Sequence, residues 1–155
     1  MKTTEEQVAE FHRAFDLPYN RAPGMCALHH EERKEIDDVA KALARLAEFC
    51  HQRAAHYHSM PLLRLQLMVE ELGEVADAIA SGTVSELLKE LNDMQYVVDG
   101  TYISYGLDKV KAESFAEVHA SNMSKLGEDG KPVKSEGGRV MKGPNYRLAN
   151  MKQFF

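Results

Sequence analysis

Apolar residues recur at helical spacing along almost all of residues 1–126, and between Gly24 and Gly127 a single proline, Pro61, interrupts them. That restricts the chain to an all-α fold of four to five helices, because a period of 3.6 cannot be accommodated in a strand. A first helix is expected from about Thr3 to Phe15, with Val8, Phe11 and Phe15 on one side. It stops before Leu17-Pro18, since the residue preceding a proline is pushed away from helical angles. A loop follows over Asp16 to Met25. The second helix runs from His30 to Tyr57, its stripe marked by Ile36, Val39, Ala40, Leu43, Leu46, Ala47 and Cys50. Ser59-Met60-Pro61 breaks the chain, with proline suited to a first helical turn. The third helix spans Leu62 to Ala80, and its stripe (Leu62, Leu65, Met68, Val69, Leu72, Val75, Ala76, Ile79) is the expected core face. Thr83 with Glu86 forms a capping box for the fourth helix, which Gly106 ends. The fifth covers Asp108 to Ser124, with Asp108 at its N-cap.

From Gly127 the texture changes to a Gly-, Pro- and Lys-rich tail without helical period, where Lys131 to Lys134 and Arg139 to Met141 suit a short hairpin. The expected organisation is a helical domain, residues 1–126, and an irregular basic tail, 127–155, packing on that domain or on a neighbouring subunit. The net charge of −5 conceals a division. Residues 1–122 carry 12 Lys and Arg against 21 Asp and Glu, net −9, while residues 123–155 carry 7 against 3, net +4. The acidic total argues against a partner that is a nucleic acid polymer. No apolar run reaches the roughly 18 residues of a membrane span. The start, MKTTEEQVAE, has no apolar signal segment, so a cytoplasmic protein is expected. Two cysteines, Cys26 and Cys50, are too few for a disulfide framework or a structural zinc site.

The third and fourth helices read VEELGEVADAI and SELLKELNDMQYVVDG. Glu71 and Glu74 are three apart, as are Glu90 and Asp93, so each pair projects to one side of its helix one turn apart. Acidic pairs on a single helix are commonly a solvated face. Two pairs on consecutive helices, joined by a short Ser-Gly-Thr turn, would face each other across an antiparallel hairpin. Like charges so placed repel, and a hard divalent ion, which takes oxygen ligands, would compensate them.

Glu71-x-x-Glu74, fifteen intervening residues, then Glu90-Leu-Asn-Asp93 resembles the metal-binding signature of the all-α nucleoside triphosphate pyrophosphohydrolases. That superfamily takes in MazG-like proteins, all-α dUTPases and phosphoribosyl-ATP pyrophosphohydrolase. Tyr96 and Gly100 follow Asp93 as in its D-x-x-Y-V-x-x-G run, and Phe115 to Lys125 is similar to its F-x-x-V-H-x-x-N-x-S-K element. VAEFHRAF, Val8 to Phe15, and KGPNY, Lys142 to Tyr146, resemble a MazG-like branch. The likeness covers most of the chain outside residues 24–58. The long second helix departs from the compact members and bears on oligomer geometry and base pocket.

The resemblance implies a helix bundle of the all-α NTP pyrophosphatase type. It implies hydrolysis of a nucleoside triphosphate to the monophosphate and pyrophosphate, in nucleotide-pool control. Glu71, Glu74, Glu90 and Asp93 would ligate Mg²⁺, for which Mn²⁺ substitutes. Glu70 would position or deprotonate the attacking water, or be an ordinary exposed glutamate. Lys125 and Lys142 would meet the triphosphate as mobile point charges. Asn122 would contact phosphate or sugar, and Asn145 and Tyr146 would close over the substrate. Arg64 would contact phosphate or serve a structural pair; Tyr96 joins the substrate contacts. His12, with Phe11 and Phe15, would stack on a base, or the two phenylalanines are core. A homodimer or homotetramer with shared sites is expected, because a hairpin alone is too narrow to enclose a nucleotide.

Two other readings fit parts of the pattern. One is a non-catalytic helical assembly module whose acidic strip is a structural metal site; the other is hydrolysis of phosphoribosyl-ATP by the same metal logic. A di-iron bundle needs two Glu-x-x-His motifs; the chain has one, Glu48 to His51.

Overall fold

Polar residues stand where the helices begin. In the computed structural model, which describes residues 2–155, Thr3 and Thr83 each accept from the backbone N–H three residues on, and Glu6 and Glu86 answer in reverse. Among the described residues the helices are α1 (Thr4–Ala14), α2 (His30–Tyr57), α3 (Met60–Ser81), α4 (Val84–Ser104) and α5 (Lys111–Met123). Two compact units divide the chain at Arg21/Ala22 and Gly106/Leu107. None of the helices described is long and apolar enough to cross a membrane.

Ala22–Gly106 contains α2, α3 and α4. Only His58 and Ser59 separate α2 from α3. His58 adopts the left-handed region (φ 46°), which turns the chain, and the Ser59 N–H donates to the Ala54 carbonyl. Pro61 lies in the first turn of α3, where its missing N–H costs nothing. The packing surfaces are small: Ala40, Ala47, Cys50 and Ala54 of α2 and Gly73, Ala76, Ala78 and Ala80 of α3 are buried. A Cβ added at Gly73 would sit 3.6 Å from Leu43 Cβ, so these helices already meet at van der Waals distance. Larger residues expected in the core are only partly covered. Leu65 is 49% and Leu72 46% exposed, and Ile79 is exposed too; outside the expected stripe, Leu63 and Leu91 are also exposed.

Met1–Arg21 and Leu107–Phe155 form the other unit. Phe15 is fully buried and stacks on Phe11 at 4.2 Å between ring centroids, so of the two openings for Phe15 the structure takes the core. α1 packs against α5, where Glu10 Oε2 lies 3.1 Å from His119 Nε2. Asp108 does not cap α5. It opens a 3-10 turn, Asp108–Val110, and α5 then starts behind Val110 without a side-chain cap. The expected tail hairpin contracts to a single antiparallel bridge, Lys134 to Val140, flanked by Met141 N–H to Val133 O and Ser135 N–H to Arg139 O.

The tail folds back along α5. Arg147 grips both oxygens of Glu117 (2.6 and 3.2 Å), the Asn150 N–H donates to the same carboxylate, and Ser121 Oγ donates to the Arg147 carbonyl. The guanidinium holds the Glu117 carboxyl down to about 2, from an ordinary 4.5. A depressed folded value means the clamp contributes in full above pH 4.5 and is lost as pH falls toward about 2. Glu117→Gln is therefore expected to lose amide-exchange protection over residues 147–150 at neutral pH, while wild type loses it only on acidification. Hydrogen exchange read by mass spectrometry distinguishes the two.

Candidate metal centre

The α3–α4 hairpin folds about Gly82, where a Cβ would collide with the Ala78 carbonyl oxygen at 2.7 Å and with Ala78 Cα at 2.9 Å. Glu74 and Glu90 lie equally far before and after that residue, and so do Glu71 and Asp93. Helices of equal rise, returning from so tight a turn, bring these positions level.

The side chains converge accordingly. Glu71, Glu90 and Asp93 each offer a carboxylate oxygen, all within 4.8 Å of one another, and among the described residues no other group of three such ligands forms. The Glu74 carboxyl stands beside that of Glu90. Lys89 reaches in from α4: its Nζ is 2.9 Å from Asp93 Oδ2, 3.0 Å from Glu90 Oε2 and 3.6 Å from Glu74 Oε2. Contact with Asp93 and Glu90 raises the lysine's pKa well above its ordinary value.

Lys89 does not satisfy the whole group. Glu71 Oε2 is buried without a hydrogen-bond partner. Loss of water raises the Glu71 pKa first, and the Asp93 charge adds to it. Glu74 is raised likewise, by loss of water first and then by the Glu90 carboxyl beside it. An all-carboxylate donor set with a buried, unanswered oxygen is what a hard divalent cation takes. The residues fit such an ion.

The remaining expected residues take varied positions. Glu70 is exposed and lines a groove of about 430 Å³ between α2 and α3, with Glu74, Asp77, Glu48, His51 and Gln66. Arg64 points into the α3–α4 contact, donating to Val97 O at 2.7 Å and Thr101 Oγ1 at 3.2 Å. A Cβ on Gly100 would come within 2.7 Å of its Nη2, so that glycine makes room for the guanidinium. Tyr96, 82% exposed, faces solvent. In the other unit, Lys125 Nζ donates to Asn122 Oδ1 (2.7 Å) and lies 5.9 Å from the Phe11 ring centre. Lys142 Nζ sits 4.5 Å over the Tyr146 ring, Asn145 is exposed beside it, and Gly143 N–H donates to the Lys125 carbonyl. The His12 Nδ1 lies 2.8 Å from the Pro18 carbonyl oxygen.

Lys89 and Gln66 did not stand out as site residues in the sequence, and Glu48 with His51 stood out only as the lone Glu-x-x-His motif. Lys89 could have been found from its place four residues before Asp93 and beside Glu90. Gln66, four residues before Glu70, could have been found from helical register.

The phosphoribosyl-ATP pyrophosphohydrolase family model matches residues 44–122, just over half of the chain and all four converging carboxylates. The chain belongs to this family. Membership makes it a pyrophosphohydrolase with a nucleotide substrate. A crystal structure at 1.78 Å resolution, of a candidate NTP pyrophosphohydrolase from Exiguobacterium sp. 255-15, superposes with a TM-score of 0.54. It is 23% identical, over 96% of this chain and 89% of that one, a likeness of all-α fold. No curated protein matches the pyrophosphohydrolase chain significantly.

Proposed function

We propose that this family member hydrolyses a nucleoside triphosphate to the monophosphate and pyrophosphate, using Mg²⁺, in cytoplasmic nucleotide-pool control. The observation that carries the reading is the meeting of Glu71, Glu90 and Asp93, with one Glu71 oxygen buried and unanswered.

Glu71, Glu74, Glu90 and Asp93 hold the ion, and Mn²⁺ suits the same oxygens. What a divalent cation supplies when bound is neutralisation of phosphate charge and a lowered pKa for the attacking water. Glu70, next to the ligands in sequence, orients or deprotonates that water. Lys125 and Lys142 meet phosphate oxygens, Asn122 the phosphate or sugar, and Asn145, Tyr146, Tyr96 and His12 complete the substrate contacts. Arg64, already bonded to α4, positions the hairpin in this reading and does not touch phosphate. A homodimer or homotetramer with shared sites accounts for the exposed Leu65, Leu72 and Leu63, since apolar residues grouped on one unit favour a partner surface.

A second substrate, phosphoribosyl-ATP, is favoured by the name of the matching family and loses pyrophosphate by the same chemistry. One panel separates them. The protein is incubated with Mg²⁺ and each ribo- and deoxyribonucleoside triphosphate, several modified ones, and phosphoribosyl-ATP, and pyrophosphate is assayed against an EDTA control. Turnover of one or a few triphosphates is expected. Turnover of phosphoribosyl-ATP alone would transfer the assignment to the second substrate, and release no greater than in EDTA would leave a non-catalytic helical module.

A further inference from the structure

The acid group already contains a cation of the chain's own. Lys89 Nζ lies within 3.6 Å of carboxylate oxygens from Glu74, Glu90 and Asp93. It approaches from solvent: its side chain is 61% exposed, while that of Glu90 is 14% exposed. The ammonium therefore closes the outer side of the group and leaves the inner oxygen of Glu71 without a partner. Two of its partners, Glu90 and Asp93, are also members of the group of three that could hold a metal, so the ammonium and an ion would draw on the same carboxylates. Lysine suits a contact that must break, because its charge is compact and its four-carbon stem mobile, whereas a guanidinium fork is held by several bonds at once.

We propose that Lys89 is a placeholder cation for the metal centre, displaced when the divalent ion binds, and that this displacement sets the metal concentration at which the centre fills. The inference rests on the metal reading above. It has a signature that an ordinary structural lysine lacks. Without Lys89 the clustered carboxylates repel one another unopposed, so the metal-free protein becomes less stable. The same loss removes a competitor, so metal binds more tightly. A lysine that only braced the hairpin, without opposing the ion, would lower stability and leave metal affinity unchanged or weaker.

The test uses the full chain and Mn²⁺ alone, at fixed pH and ionic strength. Binding is measured by calorimetry or by the electron paramagnetic resonance of free Mn²⁺, and thermal unfolding is followed in EDTA and in excess Mn²⁺. Lys89→Met is expected to bind Mn²⁺ about tenfold more tightly than wild type, the scale of a few partly exposed ion pairs. Its unfolding temperature in EDTA falls by a few degrees, roughly what the loss of such pairs allows. Lys89→Gln, which retains polarity, should behave the same way. Lys41→Met, which removes a lysine paired with Asp37 and Asp38 on α2, should leave Mn²⁺ affinity unchanged even if it lowers the unfolding temperature. Glu71→Gln should lose Mn²⁺ binding. If wild type binds Mn²⁺, Glu71→Gln does not, and both Lys89 variants bind no more tightly than wild type, the placeholder role is overturned and the metal centre stands. If wild type binds no Mn²⁺, or Glu71→Gln binds it as wild type does, both ideas fall.

Discussion

Glu74→Gln protein, given the proposed triphosphate substrate and Mg²⁺, is expected to release pyrophosphate two to three orders of magnitude more slowly than wild type, roughly the loss that follows removal of one strong electrostatic contact at a reacting centre. The substitution keeps the shape of the side chain but removes one negative charge and one proposed hard ligand. It also removes a repulsion, since the Glu90 and Glu71 charges both push the Glu74 carboxyl upward. The metal-free variant should therefore unfold at a temperature equal to or above that of wild type, which separates loss of chemistry from loss of fold. Excess Mn²⁺ should raise its unfolding temperature less than it raises that of wild type. Because the Glu71 and Glu74 values lie above the ordinary carboxylate range, protons compete with the ion at higher pH than simple glutamates would allow. Wild-type metal binding should accordingly weaken early on acidification. A Glu74→Gln enzyme keeping more than a tenth of wild-type turnover would show that Glu74 is not a ligand.

The carboxylate positions were legible in the sequence because a hairpin about a tight turn is a problem of counting. Equal distances from Gly82 and spacings of three on each helix place Glu71 and Glu74 opposite Asp93 and Glu90 without knowledge of side-chain angles. The bounds of α2 were legible for a similar reason: from His30 to Tyr57 no proline or glycine offers an exit. What escaped depends on facts that spacing does not contain. Asp108 looks like an N-cap, yet Leu107 and Val110 both take helical backbone angles, so a 3-10 turn precedes α5 and the aspartate caps nothing. The tail hairpin is abbreviated because Ser135 to Gly138 turns sharply and few residues on either side are left to pair. Arg64 could be read as a phosphate ligand or a structural cation; its acceptors, Val97 O and Thr101 Oγ1, are on another helix. The stripe of α3 predicted a core, but burial of Leu65 and Leu72 needs a surface to cover them, and within the Ala22–Gly106 unit the closest packing falls to alanines and Gly73.

Phe15→Ala should have the largest effect on stability. Phe15 is fully buried and stacked on Phe11, and deletion of so large a side chain costs about 3–5 kcal/mol where the cavity cannot collapse. Against a typical net stability of roughly 5–15 kcal/mol this is a large fraction, and for a chain of this size it lowers the unfolding temperature by roughly 6–20 °C. The loss falls on a unit assembled from two segments distant in sequence, Met1–Arg21 and Leu107–Phe155, whose closure already carries an entropic cost. That unit contains Asn122, Lys125, Lys142, Asn145 and Tyr146; the proposed metal carboxylates all belong to the other. At a temperature where only the damaged unit has loosened, Phe15→Ala protein is expected to bind Mn²⁺ with wild-type affinity while its turnover collapses. Hydrogen exchange would show whether loosening is confined to the α1–α5 unit, calorimetry would report the metal, and pyrophosphate release the reaction. Wild-type turnover from a protein whose α1–α5 unit exchanges freely would remove Lys125 and Lys142 from the chemistry and confine it to the α3–α4 hairpin.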